Sequence, residues 1–236
     1  KTVFHMLGGR FRSSYRPLSD AIIQGRIRGV CGVVGCSNPK VETTDDRTVR
    51  LVRSLISENV LVLQTGCAAI ACAKEGLLTP ETAFELAGPG LREVCEAVGI
   101  PPVLHMGSCV DNSRLLIAAR NLVEEGGLGE SIADLPLAGA APEWMSEKAV
   151  AIGSYFVASG VYTVLGLPLH TKGSPAVTNL LCQGMKELSG GYFAYIEDPE
   201  EAAESIVEHI DEKRRALGID EKKDRKLFDM KDRRSL

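Results

Sequence analysis

The chain alternates between short apolar runs and longer segments in which apolar positions recur with the period of a helix. The apolar runs have the length and β-branched content of buried strands. Strands are expected at residues 29–35, 59–64, 103–106, 162–165 and 192–196. Repeated alternation of strand and helix predicts an α/β fold with a doubly wound, mostly parallel sheet and helices on both of its faces.

The intervening segments predict a series of helices, with start signals that can be read from single residues. They are expected at residues 17–28, 45–58, 67–78, 79–98 with a pause at 88–90, 111–122, 147–159 and 198–216. Thr79 is expected to cap the fourth helix, and Asp111 or Asn112 the next one. The small residues at 138–143 are expected to form a loop. Residues 1–216 therefore form one domain, followed by a charged C-terminal extension at 217–236.

Composition narrows the class of protein. The 236 residues are 44% hydrophobic and 25% charged, which is ordinary for a globular protein. The net charge of −4, spread along the chain, makes nucleic acid a poor partner. No apolar run approaches the roughly 18 residues of a membrane helix, and no signal peptide is recognisable, so a cytoplasmic location is expected. The chain begins with Lys1 rather than Met, which indicates a fragment of a longer protein.

Three of the seven cysteines lie in glycine-flanked loops that follow apolar runs. They are Cys36 in GVVGCSNPK, Cys67 in LQTGCAA and Cys109 in HMGSCVDNSR. Because the carboxyl ends of parallel strands meet at one edge of a sheet, we expect these thiols to converge and hold a metal cluster. N–H groups at helix starts would stabilise their thiolates. The alternative is that each loop is only a tight turn beside a small buried residue.

The other four cysteines have a different setting. An odd number of cysteines without an export signal favours reduced thiols over a disulfide framework. Cys31 lies within a predicted strand, Cys72 and Cys95 lie within predicted helices, and Cys182 lies in the LLCQGM segment. All four are expected to be buried apolar residues.

Four strings carry a specific resemblance: HMLGGRFRSSYRPLSDAIIQGRIRGVCGVVGCSNPK, LQTGCAA, GSCVDNSR and SEKAVAIGSYFVASGVYTVLG. In this order they resemble the C-terminal domain of the anaerobic nickel–iron carbon monoxide dehydrogenases, over about residues 3–198. The resemblance implies a Rossmann-like domain of an enzyme that oxidises CO with water to CO2, reversibly, at a nickel–iron–sulfur cluster. It also implies further iron–sulfur clusters, a ferredoxin-like electron acceptor and a homodimer, with acetyl-CoA synthase as a further candidate partner.

The resemblance also implies roles for single residues. Cys36 and Cys67 match ligands of irons in the cubane part of the cluster, and Cys109 matches a ligand of nickel. Lys148 matches a lysine that faces the substrate, where an ammonium group can hydrogen-bond carboxylate oxygens. Ile152 lies one helical turn later and matches an apolar position over the open metal site.

Other features of the chain limit this interpretation. His105 lies in the loop of Cys109, but we leave it outside the set of metal ligands. The family takes one histidine and further cysteines from upstream sequence, for which this chain has no candidates. The isolated chain is therefore expected to be inactive, with a partial, oxygen-sensitive cluster or no metal. Two alternatives stay open: a hybrid-cluster or hydroxylamine reductase-like domain, and a metal-free structural or interaction module.

Overall fold

A single parallel sheet organises the computed structural model, which describes residues 15–40, 45–169, 171 and 173–221. Its strands are β1 (Gly29–Val33), β2 (Val60–Thr65), β3 (Val103–Gly107), β4 (Leu137–Ala141), β5 (Tyr162–Leu165) and β6 (Phe193–Tyr195). They lie in the order β3-β2-β1-β4-β5-β6, and each neighbouring pair is parallel. This confirms the predicted doubly wound α/β fold.

Helices connect the strands. In the described part of the chain they are α1 (Arg16–Ile23), α2 (Asp46–Ser57), α3 (Gly66–Lys74), α4 (Glu81–Glu85), α5 (Pro89–Val98), α6 (Ser113–Glu125), α7 (Glu147–Ala158), α8 (Pro175–Asn179), α9 (Met185–Ser189) and α10 (Pro199–Ala216). Asn112 takes the N-cap position of α6 as expected, although its side chain makes no capping hydrogen bond, and Pro80 rather than the expected Thr79 takes the N-cap position of α4. Among these described helices, none combines the length and apolar character needed to cross a membrane.

Strand β4 lies where the sequence predicts a loop at 138–143, so that prediction is wrong. Leu137–Ala141 is instead a fully buried strand that pairs with β1 on one side and β5 on the other. Its sequence, LAGAA, lacks the β-branched residues by which strands are recognised. The small residues leave room for a helix: a Cβ on Gly139 would lie 3.7 Å from a ring carbon of Phe156 in α7.

Three of the four cysteines outside the loops are buried, as expected. Cys31, Cys72 and Cys95 are buried, while Cys182 is only half-buried, contrary to expectation. Burial raises the pKa of Cys72 to about 11 and that of Cys95 to about 12, and it raises the pKa of Cys31 as well. These three thiols are therefore protonated and unreactive at neutral pH.

The strand order creates a switch point between β1 and β4. From β1 the chain proceeds outward through β2 to β3, and then returns to β4 and proceeds the other way to β6. Crevices outside the carboxyl ends of strands at such a point are where doubly wound folds bind ligands.

Candidate metal centre

The three loop cysteines follow three adjacent strands at the carboxyl edge of the sheet. Cys36 follows β1, Cys67 is the second residue of α3 directly after β2, and Cys109 opens a 3₁₀ turn, Cys109–Asp111, after β3. Because β1, β2 and β3 are parallel neighbours, all three thiols emerge at the same edge. Cys67 is exposed, and Cys36 and Cys109 are half-buried.

The loops of Cys67 and Cys109 pack directly against each other. Gly66 has a φ of +60°, which favours glycine, and a Cβ placed on it would lie 3.2 Å from the Cβ of Cys109. The hydroxyl of Thr65 also donates a hydrogen bond to the side-chain oxygen of Asn112 at the start of α6. The backbone after β2 is therefore fitted to the loop after β3.

Lys148 reaches this edge from the next strand. It is the second residue of α7, which follows β4, and its Nζ donates a hydrogen bond to Cys109 Sγ at 3.1 Å. That hydrogen bond and the charge of Cys109 raise the pKa of Lys148, and the charges of Cys36 and Cys67 add to the rise. The ammonium group thus lies within electrostatic reach of all three thiols.

A small apolar cavity of about 40 Å³ adjoins these groups. Cys36, Cys109, Lys148 and Ile152 all line it, together with Phe156 from the same helix. Ile152 lies one turn after Lys148, so both side chains project from one face of α7. The walls suit a small uncharged molecule better than a polar one.

Glu143, in the connection between β4 and α7, holds the loop of Cys36. The backbone N–H of Cys36 donates to the carbonyl oxygen of Glu143 at 2.9 Å, and the N–H of Asn38 donates to its carboxylate at 3.4 Å. Glu143 is only 1% exposed, and burial raises its pKa. Glu143 is not among the residues expected from the sequence, because the sequence predicts a loop at 138–143; a lone carboxylate at the end of an apolar run is the signal that could have identified it.

Short-range hydrogen bonds fix the loop of Cys109. Asp111 accepts hydrogen bonds from the N–H of Ser108 at 2.8 Å and from its hydroxyl at 3.0 Å, and these bonds lower the pKa of Asp111. Nδ1 of His105 accepts a hydrogen bond from the N–H of Gly107 at 2.9 Å. His105 therefore supports the turn that carries Cys109.

The candidate ligands are thiols, the groups that hold iron–sulfur clusters in proteins. Within the described ranges, no group of three or more His, Cys, Asp or Glu side chains is arranged to hold one metal ion. A cluster binds its thiolates through different metal atoms, so its ligands lie farther apart than those of a single ion. Of the remaining histidines, His5 and His170 lie outside the described residues.

Comparison with known proteins relates this arrangement to a family. Residues 5–200 match the profile of the Prismane/CO dehydrogenase family. The chain is 54% identical over 219 residues to carbon monoxide dehydrogenase 1 of Methanosarcina mazei. The aligned region covers 93% of this chain and 34% of that protein.

Solved structures give the same relationship. The nickel-free carbon monoxide dehydrogenase of Thermococcus sp. AM4 superposes with a TM-score of 0.82 and 50% identity, over 92% of this chain and 33% of that one. An acetyl-CoA synthase/carbon monoxide dehydrogenase, described with NiZn[Fe4S4] and NiNi[Fe4S4] clusters in its alpha subunits, matches with a TM-score of 0.81 and 35% identity, over 86% of this chain and 31% of that one. The chain thus spans about a third of the length of these relatives. It belongs to the Prismane/CO dehydrogenase family.

Proposed function

We propose that this chain is the C-terminal cluster-binding part of an anaerobic, nickel-dependent carbon monoxide dehydrogenase. The complete enzyme converts CO and water to CO2, two protons and two electrons, and also runs in reverse. The observation that carries the proposal is the meeting of three cysteine loops and Lys148 at one edge of the sheet. High identity to proteins named carbon monoxide dehydrogenase supports it over the hybrid-cluster alternative.

The residues at this edge fit a nickel–iron–sulfur cluster chemically. Thiolates are the ligands that iron–sulfur clusters use, and soft thiolate donors also suit nickel. Cys36 and Cys67 would bind irons, and Cys109 would bind nickel. When bound, the cluster supplies a metal site that activates CO and a store for the two electrons. The further ligands that complete it would come from the part of the protein outside this chain.

Lys148 and Ile152 would act on the substrate rather than hold metal. The ammonium group of Lys148, already directed at Cys109, can donate hydrogen bonds to substrate oxygens as negative charge develops on them. Ile152 and Phe156 line the apolar cavity beside it and would limit the entry of bulk water. In this arrangement the residues of this chain would bind and orient the substrate and stabilise the charge that develops on it.

The partners of the complete enzyme follow from the same proposal. Electrons would leave through further iron–sulfur clusters to a ferredoxin-like acceptor, the enzyme would be a cytoplasmic homodimer, and acetyl-CoA synthase is a candidate partner. Similarity to the acetyl-CoA synthase/carbon monoxide dehydrogenase structure supports the last suggestion.

Metal analysis of the complete protein, purified without oxygen, tests the proposal. We expect nickel and iron together with CO oxidation. Iron without nickel would favour the hybrid-cluster alternative, and neither metal would favour a structural module. Lys148→Ala should lower CO oxidation by on the order of 10²–10³ with metal content retained, because one preorganised donor is lost. The matched control is Lys186→Ala, because Lys186 is an exposed lysine of α9, and it should leave the rate unchanged. Unchanged turnover in Lys148→Ala would contradict the role of Lys148.

A further inference from the structure

A buried carboxylate links the two connections that flank the switch point. Glu143 follows β4, and its main chain and side chain both contact the connection after β1 that carries Cys36. We propose that Glu143 is a positioning residue that fixes the geometry of Cys36 as a cluster ligand by holding the start of the segment that follows β1, at Cys36 and Asn38. The inference rests on the proposed function, because it concerns a ligand of that same cluster.

The start of the segment is held by two hydrogen bonds to Glu143. Cys36 donates its N–H to the Glu143 carbonyl oxygen at 2.9 Å, and Asn38 donates its N–H to the carboxylate at 3.4 Å. The approach is close: a Cβ on Gly35, which has a φ of +133°, would lie 2.3 Å from the Glu143 carbonyl oxygen. The position of the Cys36 backbone is therefore set by Glu143 directly.

A second set of contacts connects the same segment to the helix that carries Cys67. The side chain of Asp45 accepts a hydrogen bond from the hydroxyl of Ser37, the residue after Cys36. Asp45 also forms an ion pair with Lys74 at 3.1 Å. Because Lys74 ends α3, whose second residue is Cys67, these contacts connect the loop of Cys36 to the helix of a second candidate ligand.

The switch point explains why such a link is needed. The helices after β1 and β4 pack on opposite faces of the sheet: Phe156 of α7 lies near Gly32 of β1, whereas α10, which packs against α2, contacts Gly29. Pairing between β1 and β4 ends with the hydrogen bond from Val34 N–H to the Ala140 carbonyl oxygen, and the chain then continues to helices on opposite faces of the sheet. Glu143 joins the two connections just beyond this point, and its burial excludes water that would compete for the N–H donors.

The test compares Glu143→Gln and Glu143→Ala with a matched control, Asp134→Asn, in the complete protein. Asp134 precedes β4 at the opposite edge of the sheet, and its carboxylate accepts from the N–H groups of Glu130 at 3.0 Å and Ser131 at 2.9 Å. It therefore holds a loop in the same way, but far from the cysteines.

The first measurement is amide hydrogen exchange of the metal-free protein. Glu143→Ala removes the carboxylate that accepts from Asn38 N–H, so it should loosen the loop and speed exchange at Cys36 by on the order of tenfold or more. The acceptor of the Cys36 N–H is a backbone carbonyl that the substitution retains, so faster exchange there reports movement of the loop. Glu143→Gln, which keeps one acceptor oxygen, should have a smaller effect, and Asp134→Asn should have none.

The second measurement is the paramagnetic resonance signal of the metal-loaded protein. Glu143→Gln should shift this signal at normal iron content, which a loss of fold stability alone would not do. Wild-type exchange at Cys36 and an unshifted signal in Glu143→Gln would overturn the proposal, even if Glu143→Ala does not fold. Should the wild-type protein bind no nickel or iron, the proposed function fails, while the exchange measurement still decides whether Glu143 positions Cys36.

Discussion

At the scale of single residues, the cysteines of this chain divide by environment. Cys31, Cys72 and Cys95 are buried in the core, and burial raises the pKa of each thiol. Cys67 is exposed at the carboxyl edge of the sheet, and Cys109 contacts the ammonium group of Lys148. Since the thiolate is the nucleophile and the metal ligand, the loop cysteines at this edge, Cys36 included, are suited to chemistry and the three buried cysteines are not.

This division predicts an order of thiol reactivity. In the folded, metal-free chain at neutral pH, an alkylating reagent should modify Cys67 first and Cys31, Cys72 and Cys95 last. Each unit by which the pKa rises lowers the thiolate fraction about tenfold, and burial also restricts access. Half-buried Cys182, whose pKa is raised by burial, should react at an intermediate rate. Mass spectrometry of labelled peptides gives the rates.

The control for this measurement is the chain unfolded in urea, where the seven thiols should react at similar rates. Equal rates for Cys67 and Cys72 in the folded chain would contradict the assignment of Cys67 to an accessible site and of Cys72 to the core.

At the scale of elements, the sequence predicts what depends on local pattern. The structure contains the strands rich in Val, Ile and Leu, a helix that starts after Asn112 and the last helix ending at Ala216. The three cysteine loops could be located in the same way, because each is a strand followed by glycine and cysteine.

What depends on packing between distant elements could not be predicted. Strand β4 is built of small residues because α7 lies close above it, and nothing in LAGAA itself indicates a strand. Recognising Glu143 required the knowledge that β4 is the neighbour of β1, which the order of strands along the chain does not contain. The contact of Lys148 with Cys109 depends on the same neighbourhood.

The close packing of α3 on the loop of Cys109 leads to a prediction about two glycines. Gly66 and Gly76 have φ values of +60° and +74°, so alanine at either should destabilise the chain by about 1–2 kcal/mol. Only Gly66 has a neighbour: its Cβ would lie 3.2 Å from Cys109, whereas nothing lies within 4 Å of a Cβ on Gly76. Gly66→Ala should therefore also lower the iron content of the complete protein.

Urea unfolding and metal analysis of both variants test this expectation, with Gly76→Ala as the control for backbone strain. Equal iron content in the two variants would mean that the contact between Gly66 and Cys109 does not control how the loops bind metal.

At the scale of the whole molecule, the two edges of the sheet differ in character. The carboxyl edge carries the candidate metal centre, while the amino edge carries a packed aromatic group around His209. The ring of His209 lies 4.6 Å from that of Tyr162, and the side chain is 7% exposed. Burial, with the charges of Lys213 and Lys186, lowers the pKa of His209 to about 4.

This lowered pKa predicts how stability depends on pH. An unfolded histidine has a pKa of about 6.5, so above that pH both states are neutral and the full stability is present. As pH falls from about 6.5 to about 4, the unfolded state binds a proton that the folded state does not, and stability decreases by on the order of 3 kcal/mol. His209→Phe should remove this component. Urea unfolding at several pH values measures it, and an identical pH dependence in the variant would contradict the prediction.

Several large apolar side chains are exposed on the surface around the candidate metal centre. Ile70, one turn after Cys67, is 51% exposed, Val110, beside Cys109, is 75% exposed, and Met145, before α7, is 54% exposed. Apolar groups gathered at a functional edge are typical of surfaces that another part of a protein covers. The chain spans about a third of the length of its relatives, and we expect this surface to be an internal contact of the complete protein.

The isolated chain should consequently self-associate through this surface. A double variant, Ile70→Glu and Met145→Glu, should weaken the association because it places charges at positions that are buried in the associated form. Leu188→Glu is the matched control, since Leu188 is 75% exposed but lies on α9. The last residue of α9, Ser189, donates a hydrogen bond to the carbonyl of Val157, which is at the end of α7 away from Lys148. Sedimentation velocity over a range of concentrations measures the effect. If Leu188→Glu weakened association as much as the double variant did, the contact would not involve the edge that carries the cysteines, and the surface there would need another explanation.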